Sequence, residues 1–129
     1  NGDNSFIDVT KEAGIIIEGF GLSITPVDIN KDQWVDLFIT NDYLTNDLLY
    51  VNQKDGTFRN EIDNHLLHQS KFSMGSDAAD FNNDGLADLY FTGNQTEDKL
   101  FLNLIIPRAK NNKIRAIIIF KRFRRVIIT

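Results

Sequence analysis

The sequence predicts an all-β fold made of a repeated unit of short strands. Three observations predict it. The stretch Asp28-Ile29-Asn30-Lys31-Asp32-Gln33-Trp34-Val35-Asp36 returns as Asp80-Phe81-Asn82-Asn83-Asp84-Gly85-Leu86-Ala87-Asp88, with oxygen-bearing side chains at positions 1, 3, 5 and 9 of both copies. Each copy leads into a short apolar, β-prone run, Leu37-Phe38-Ile39-Thr40 and Leu89-Tyr90-Phe91-Thr92. Each is followed by a matching apolar segment ending in asparagine, Leu49-Tyr50-Val51-Asn52 and Leu100-Phe101-Leu102-Asn103.

Taken in order, Ser5 to Thr10 reads as a short strand, and Lys11 to Gly14 as the turn after it. Leu22 to Val27 is a strand, with Pro26 requiring a sheet edge or the end of the ladder, because proline cannot donate to it. The first acidic loop then feeds the strand Val35 to Thr40. Asn41 to Asp47 is a polar connection, and Leu48 to Val51 a strand. Asp55-Gly56 marks a hairpin between extended segments. Glu61 to Ser70 lacks a strand period and has room for a helical turn. The pattern then restarts with a strand from Ser76 to Ala79, the second loop, and strands at Leu89 to Thr92 and from Leu100.

The loops repeat at an offset of 52 residues, Asp28 to Asp80, and the asparagines at 51, Asn52 to Asn103, so the connection before the third strand is one residue shorter in the second copy. A period near 50 holding about four strands predicts propeller blades. Apolar runs without alternation, such as Leu37-Phe38-Ile39, fit strands covered on both faces. The expected organisation is the end of a preceding blade over 1–18, one blade over 19–70, an incomplete second over 71–103, and a basic, Ile-rich tail over 104–129. A propeller closes with about four or more blades, so the remaining blades are expected from a longer parent chain.

The loops carry the chemistry. Three carboxylates and one amide in nine residues repel one another unless a cation sits among them, and hard oxygen donors are what Ca2+ prefers. The expected ligands are Asp28, Asn30, Asp32 and Asp36 with the Trp34 carbonyl, and Asp80, Asn82, Asp84 and Asp88 with the Leu86 carbonyl. Gly85 suits the sharp turn at position 6; Gln33 holds that place in the first loop and makes it the less ideal of the two. An EF-hand requires a glutamate at position 12 and a helix beyond it. Position 12 is Ile39 in one copy and Phe91 in the other, and strands follow instead. The competing reading is an acidic turn with no metal, since Asp, Asn and Gly are ordinary turn residues.

At these residues a family resemblance appears. Phe20-Gly21, the two acidic loops, Asn41-Asp42, Leu49-Tyr50-x-Asn52 and Asp55-Gly56-Thr57-Phe58 resemble the FG-GAP/VCBS repeats, the β-propeller repeats also found in integrin α-subunits. Lys71-Phe72-Ser73-Met74-Gly75-Ser76-Asp77-x-Ala79-Asp80 is similar to the bacterial VCBS proteins that accompany ASPIC/UnbV domains. The resemblance covers about residues 5–103. It implies Ca2+ in the strand-joining loops, a secreted, periplasmic or cell-surface location, and a binding, adhesion or scaffolding role toward a protein or carbohydrate. The alternative is the non-catalytic propeller of a larger extracellular enzyme acting on polysaccharide. A calcium-responsive switch is disfavoured by the missing position-12 ligands.

Composition bounds the rest. The 129 residues hold no Cys, which excludes disulfides and thiolate metal sites. No apolar run approaches the ~20 residues of a membrane helix. All 18 acidic residues lie at or before Asp98, against five basic residues in the same span, with Lys99 just after it, a balance that repels nucleic acid. The tail from Leu104 carries eight basic residues and no acidic one. It reads as a basic membrane or nucleic-acid patch, as a hairpin of Ile117–Phe120 and Val126–Ile128 completing the second blade, or as residues outside the family's frame; the joint loss of acid and of resemblance favours the last. His65 and His68 have no third ligand and are expected at the surface. Nothing resembles a nucleophile elbow or a phosphate loop, so no catalysis is expected. Asp42, Asp47 and Asp77 are expected to cap turns or accept backbone hydrogen bonds; Trp34 is expected to pack beneath the metal or to contact a partner, and packing is the favoured reading.

Overall fold

The computed structural model describes residues 2–66, 69, 72–93, 98–101 and 117–120, the last two segments as backbone only. The architecture is two four-stranded antiparallel sheets, each in sequential order. The first holds β1 (Gly21–Val27), β2 (Asp36–Asn41), β3 (Leu48–Asn52) and β4 (Phe58–Asn60). The second holds β5 (Ser73–Ala79), β6 (Asp88–Gly93), β7 (Asp98–Phe101) and β8 (Ile117–Phe120). A single helical turn, α1 (Ile62–His65), joins them.

The internal repeat is visible in the strand register. Ile24 faces Ile39 and Pro26 faces Leu37 in the first sheet; Ser76 faces Phe91 and Ala78 faces Leu89 in the second, each 52 residues on. The irregularity in the ladder also recurs, between Gly21 and Ser23 and between Ser73 and Gly75. Across the next ladder Leu37 pairs Tyr50 and Leu89 pairs Phe101, so the offset falls to 51 on the third strand, as the asparagine spacing predicts. The repeat loosens at the fourth strand. A turn of five residues, 53–57, separates β3 from β4, whereas residues 102–116 separate β7 from β8. Ile117–Phe120 nonetheless pairs with β7, which is the strand-adding reading of that run. The Val126–Ile128 run lies outside the described residues.

Pro26 sits on β1, an edge strand, where its missing N–H leaves no gap in the ladder. The Asp55-Gly56 hairpin forms as expected: Gln53 N–H donates to the Thr57 carbonyl at 2.9 Å, and Gly56 takes a φ of 88°. β3 is covered on both faces, with Leu48, Leu49, Tyr50 and Val51 all buried.

The sheets stack through one apolar core. Val27, Ile29, Phe38, Leu49 and Val51 of the first meet Leu89 and Phe91 of the second, with Ile62 and Leu66 closing the side. The Phe38 and Phe91 rings lie 5.6 Å apart in a tilted pair. Nearer the β1/β5 edges the interface is polar: the Thr25 and Ser76 hydroxyls are 2.7 Å apart, and Ser76 N–H reaches the Ser23 hydroxyl at 3.3 Å. At the far end Asp47, fully buried, accepts from Asn41 N–H at 2.9 Å and from the Ser73 hydroxyl at 2.8 Å. Asp42 and Asp77 accept from the N–H of Tyr43 and Ala78, so all three carboxylates hydrogen-bond backbone.

Three expectations are corrected. Ser5 to Thr10 is not a strand. Asp3 and Asp8 take the N–H groups of Ser5 and Thr10 in local turns, a competitor to sheet pairing, and Phe6 is almost wholly exposed. The segment instead docks through the Lys11–Gly14 turn, with Ala13 buried and its carbonyl accepting from Phe58 N–H at 2.8 Å. His65 is not a surface residue: its side chain is 13% exposed and its Nε2 lies 3.5 Å from Glu61. Its Nδ1 is buried with no hydrogen-bond partner among the described residues. α1 ends at His65, and His68 lies outside the described residues. Trp34 does not pack beneath its loop; it is 45% exposed.

Because Phe38 is fully buried at the centre of the stacked interface, Phe38→Ala is expected to cost about 3–5 kcal/mol. Urea unfolding of the two proteins checks this.

Candidate metal centre

The two loops join β1 to β2 and β5 to β6 at the same end of their sheets. Both make one set of hydrogen bonds. In the first loop the Asp28 carboxylate accepts from Asp32 N–H (2.9 Å) and Gln33 N–H (2.8 Å), and Asp32 accepts from Trp34 N–H (2.9 Å). In the second, Asp80 accepts from Asp84 N–H (3.0 Å) and Gly85 N–H (2.8 Å), and Asp84 from Leu86 N–H (2.9 Å). The Asn30 and Asn82 side chains each accept from the N–H two residues on and donate to the carboxylate there. The last aspartate closes each loop: Asp36 accepts from Ile29 N–H at 3.0 Å and Asp88 from Phe81 N–H at 2.9 Å.

The backbones also agree. Positions 4 and 6 take left-handed conformations in both loops, Lys31 and Asn83 at φ 61° and 60°, Gln33 and Gly85 at 72° and 83°. Gln33 therefore adopts the turn that glycine makes without strain, against a Cβ clash worth roughly 1–2 kcal/mol.

Asp36 and Asp88 are fully buried, while Asn30, Asn82 and the residues at positions 5 and 6 lie nearer solvent; position 7 differs, Trp34 being exposed and Leu86 buried. Asp36 is the anchor of the first loop, because its other oxygen accepts from Asn52 N–H of β3 at 2.8 Å. Burial pushes its carboxyl above the usual range. The N–H donors of Asn52 and Ile29 oppose that rise, and the negative charges of Asp32 and Asp28 add to it. A cation beside Asp36 would relieve both burial and repulsion.

Asp32 moves the other way. Burial raises it, but the Trp34 N–H, the Lys54 ammonium and the Asn30 amide together bring its carboxyl below the usual range.

The residues expected to ligate metal are thus gathered loop by loop. As they lie, however, the side chains cap the loop's own N–H groups. Among the described residues no group of three or more His, Cys, Asp or Glu side chains stands close enough to hold a metal ion. The donor set still fits a hard cation. An ionised carboxylate offers about four lone-pair sites, and the bonds above use two of those on Asp28 and two on Asp80.

The part sequence reasoning missed is the β3–β4 turn. Asn52 binds the first loop at two points, through its N–H to Asp36 and its side-chain amide to the Val35 carbonyl at 3.2 Å. It also holds Lys54, whose Nζ is 3.2 Å from Asp32. The recurrence of Asn52 as Asn103 was the available signal.

Fold and loops together define a class, an all-β repeat protein with one acidic loop per repeat. Residues 28–91 match the sequence model of the FG-GAP-like repeat, a span from the start of the first loop to the strand after the second, which supports reading this chain as an FG-GAP-like repeat protein. No curated protein matches the chain. Among the described residues no helix is long and apolar enough to cross a membrane.

Removing the Cβ at the strained position is expected to help. Gln33→Gly should stabilise the protein by about 0.5–1 kcal/mol, the relieved strain exceeding glycine's added chain entropy, and Gly85→Ala should destabilise it by roughly 1–2 kcal/mol. Chemical denaturation in chelator checks both signs.

Proposed function

We propose that this chain is a calcium-stabilised segment of a β-propeller, a repeat module of a larger protein that binds a protein or carbohydrate at the cell surface or outside it and performs no catalysis itself. The observation that carries the reading is the duplicated loop: the same donors, left-handed positions and buried closing aspartate recur 52 residues apart at equivalent places in two stacked sheets. A bare turn needs no second copy of so many carboxylates. Asp28, Asn30, Asp32, Asp36 and the Trp34 carbonyl would hold one ion; Asp80, Asn82, Asp84, Asp88 and the Leu86 carbonyl would hold the other. Bound Ca2+ supplies charge neutralisation, which stiffens the joint between two strands and adds its binding free energy to folding.

The sheet faces support the propeller. In the second sheet Leu89 and Phe91 are buried against the first. Their equivalents on the first sheet are Leu37 and Ile39, paired with Pro26 and Ile24, and Ile24 is 58% exposed. That face is apolar and suited to a further sheet stacked in the same sense, as closure into a propeller requires. The VCBS-type resemblance, with its ASPIC/UnbV association and extracellular placement, is consistent with this reading.

Calcium is expected to raise the melting temperature, by a free energy of about 2.7 kcal/mol when free Ca2+ exceeds the dissociation constant ~100-fold. Calorimetric titration of chelator-stripped protein should show two sites in the wild type and one in the Asp80→Ala, Asp84→Ala variant. Identical melting with and without Ca2+ in a folded protein would sink the proposal.

A further inference from the structure

We infer that Lys54 is a tethered cation that competes with the metal for Asp32 and so weakens the first loop as a calcium site; the inference rests on the calcium reading above. The two loops share their internal hydrogen bonds, but an ion pair reaches the first from outside it. Lys54 Nζ lies 3.2 Å from Asp32 Oδ2, the oxygen that also accepts from the Asn30 amide. The placement is built in. Lys54 sits in the β3–β4 turn with a left-handed φ of 68°, and its N–H donates to the Asn52 side chain at 2.9 Å. Asn52 is in turn bonded to Asp36 and to the Val35 carbonyl of the loop. The loop thus positions the turn that carries its own counter-ion.

Lys31, although part of the first loop, does not take this role. Its ammonium leans over the neighbouring loop and lies 3.4 Å from where a Cβ on Gly85 would stand. No ion pair joins it to a carboxylate of its own loop among the described residues. In sequence the second repeat has Ile105 where Lys54 stands, counting from Asn103 as the equivalent of Asn52. Among the described residues no ion pair joins a lysine or arginine to a carboxylate of the second loop. To ligate through Asp32 Oδ2, Ca2+ must displace the ammonium, and the cost of breaking that pair is subtracted from the first site's affinity.

The test uses the whole chain and a loop-specific probe. Trp34 is the only tryptophan of the protein and stands at position 7 of the first loop. Tb3+ emission sensitised through tryptophan therefore reports that loop, and Ca2+ competition gives its affinity. Lys54→Met should bind Ca2+ about two- to five-fold more tightly there, the worth of an exposed ion pair, while Lys54→Arg should match the wild type. Saturable Ca2+ competition with unchanged or weaker affinity in Lys54→Met would overturn the inference and leave the calcium reading standing. Absence of saturable binding in folded wild type and variant alike would overturn both.

Discussion

A buried carboxylate sets the geometry on which the rest of the first repeat depends. Asp36 opens β2, is fully buried, and uses one oxygen for Ile29 N–H and the other for Asn52 N–H. One side chain thereby fixes the end of β1, the start of β2 and the end of β3. The cost is a charge kept from water beside two others of its sign, which holds the group above its usual range through burial first and through Asp32 and Asp28 next. Backbone donors offset part of that cost. Asp36 is therefore more than a solvated turn former, since turn chemistry alone would leave it exposed.

The interface between the sheets is graded. It is polar at the β1/β5 edges, where Ser23, Thr25 and Ser76 meet, aromatic at Phe38 and Phe91, and hydrogen-bonded again at the far end, where the buried Asp47 carboxyl accepts from the Ser73 hydroxyl. Apolar packing is tolerant of sliding, whereas hydrogen bonds are not. Polar contacts at two separated places therefore fix how one repeat lies on the next, while the aromatic core supplies most of the cohesion. Gly19 belongs to the same end of the structure: a Cβ there would stand 2.7 Å from the Asn41 side chain, so the chain can approach β2 only as glycine.

Much of this was legible from spacing. The loops, the strands after them, the Asp55-Gly56 hairpin, the edge position of Pro26 and the change of offset from 52 to 51 all appear where the pattern placed them. The misplaced elements share a cause. Ser5 to Thr10 has strand composition, but Asp3 and Asp8 take the Ser5 and Thr10 N–H groups locally, and among the described residues no strand pairs with it. Trp34 is large and apolar, yet it occupies the solvent side of a loop whose inner side is filled by Ile29 and Asp36. His65 looks like any polar residue near a helix end, yet the fold leaves its side chain only 13% exposed, with Nε2 beside Glu61.

The sequence by itself determined the periodic features: the strands that flank each acidic loop, which residues make those loops, and that the unit recurs. These follow from side-chain chemistry over a few neighbouring residues and from repetition, both of which are written in the chain. Only the tertiary structure decided which carboxylates are buried, that Asn52 clasps the first loop, that Lys54 rather than Lys31 pairs with Asp32, and that Asp47 joins the two sheets. Those contacts link residues brought together by sheet pairing and stacking, and their register and direction are set by the packing of whole strands rather than by any nearby residue.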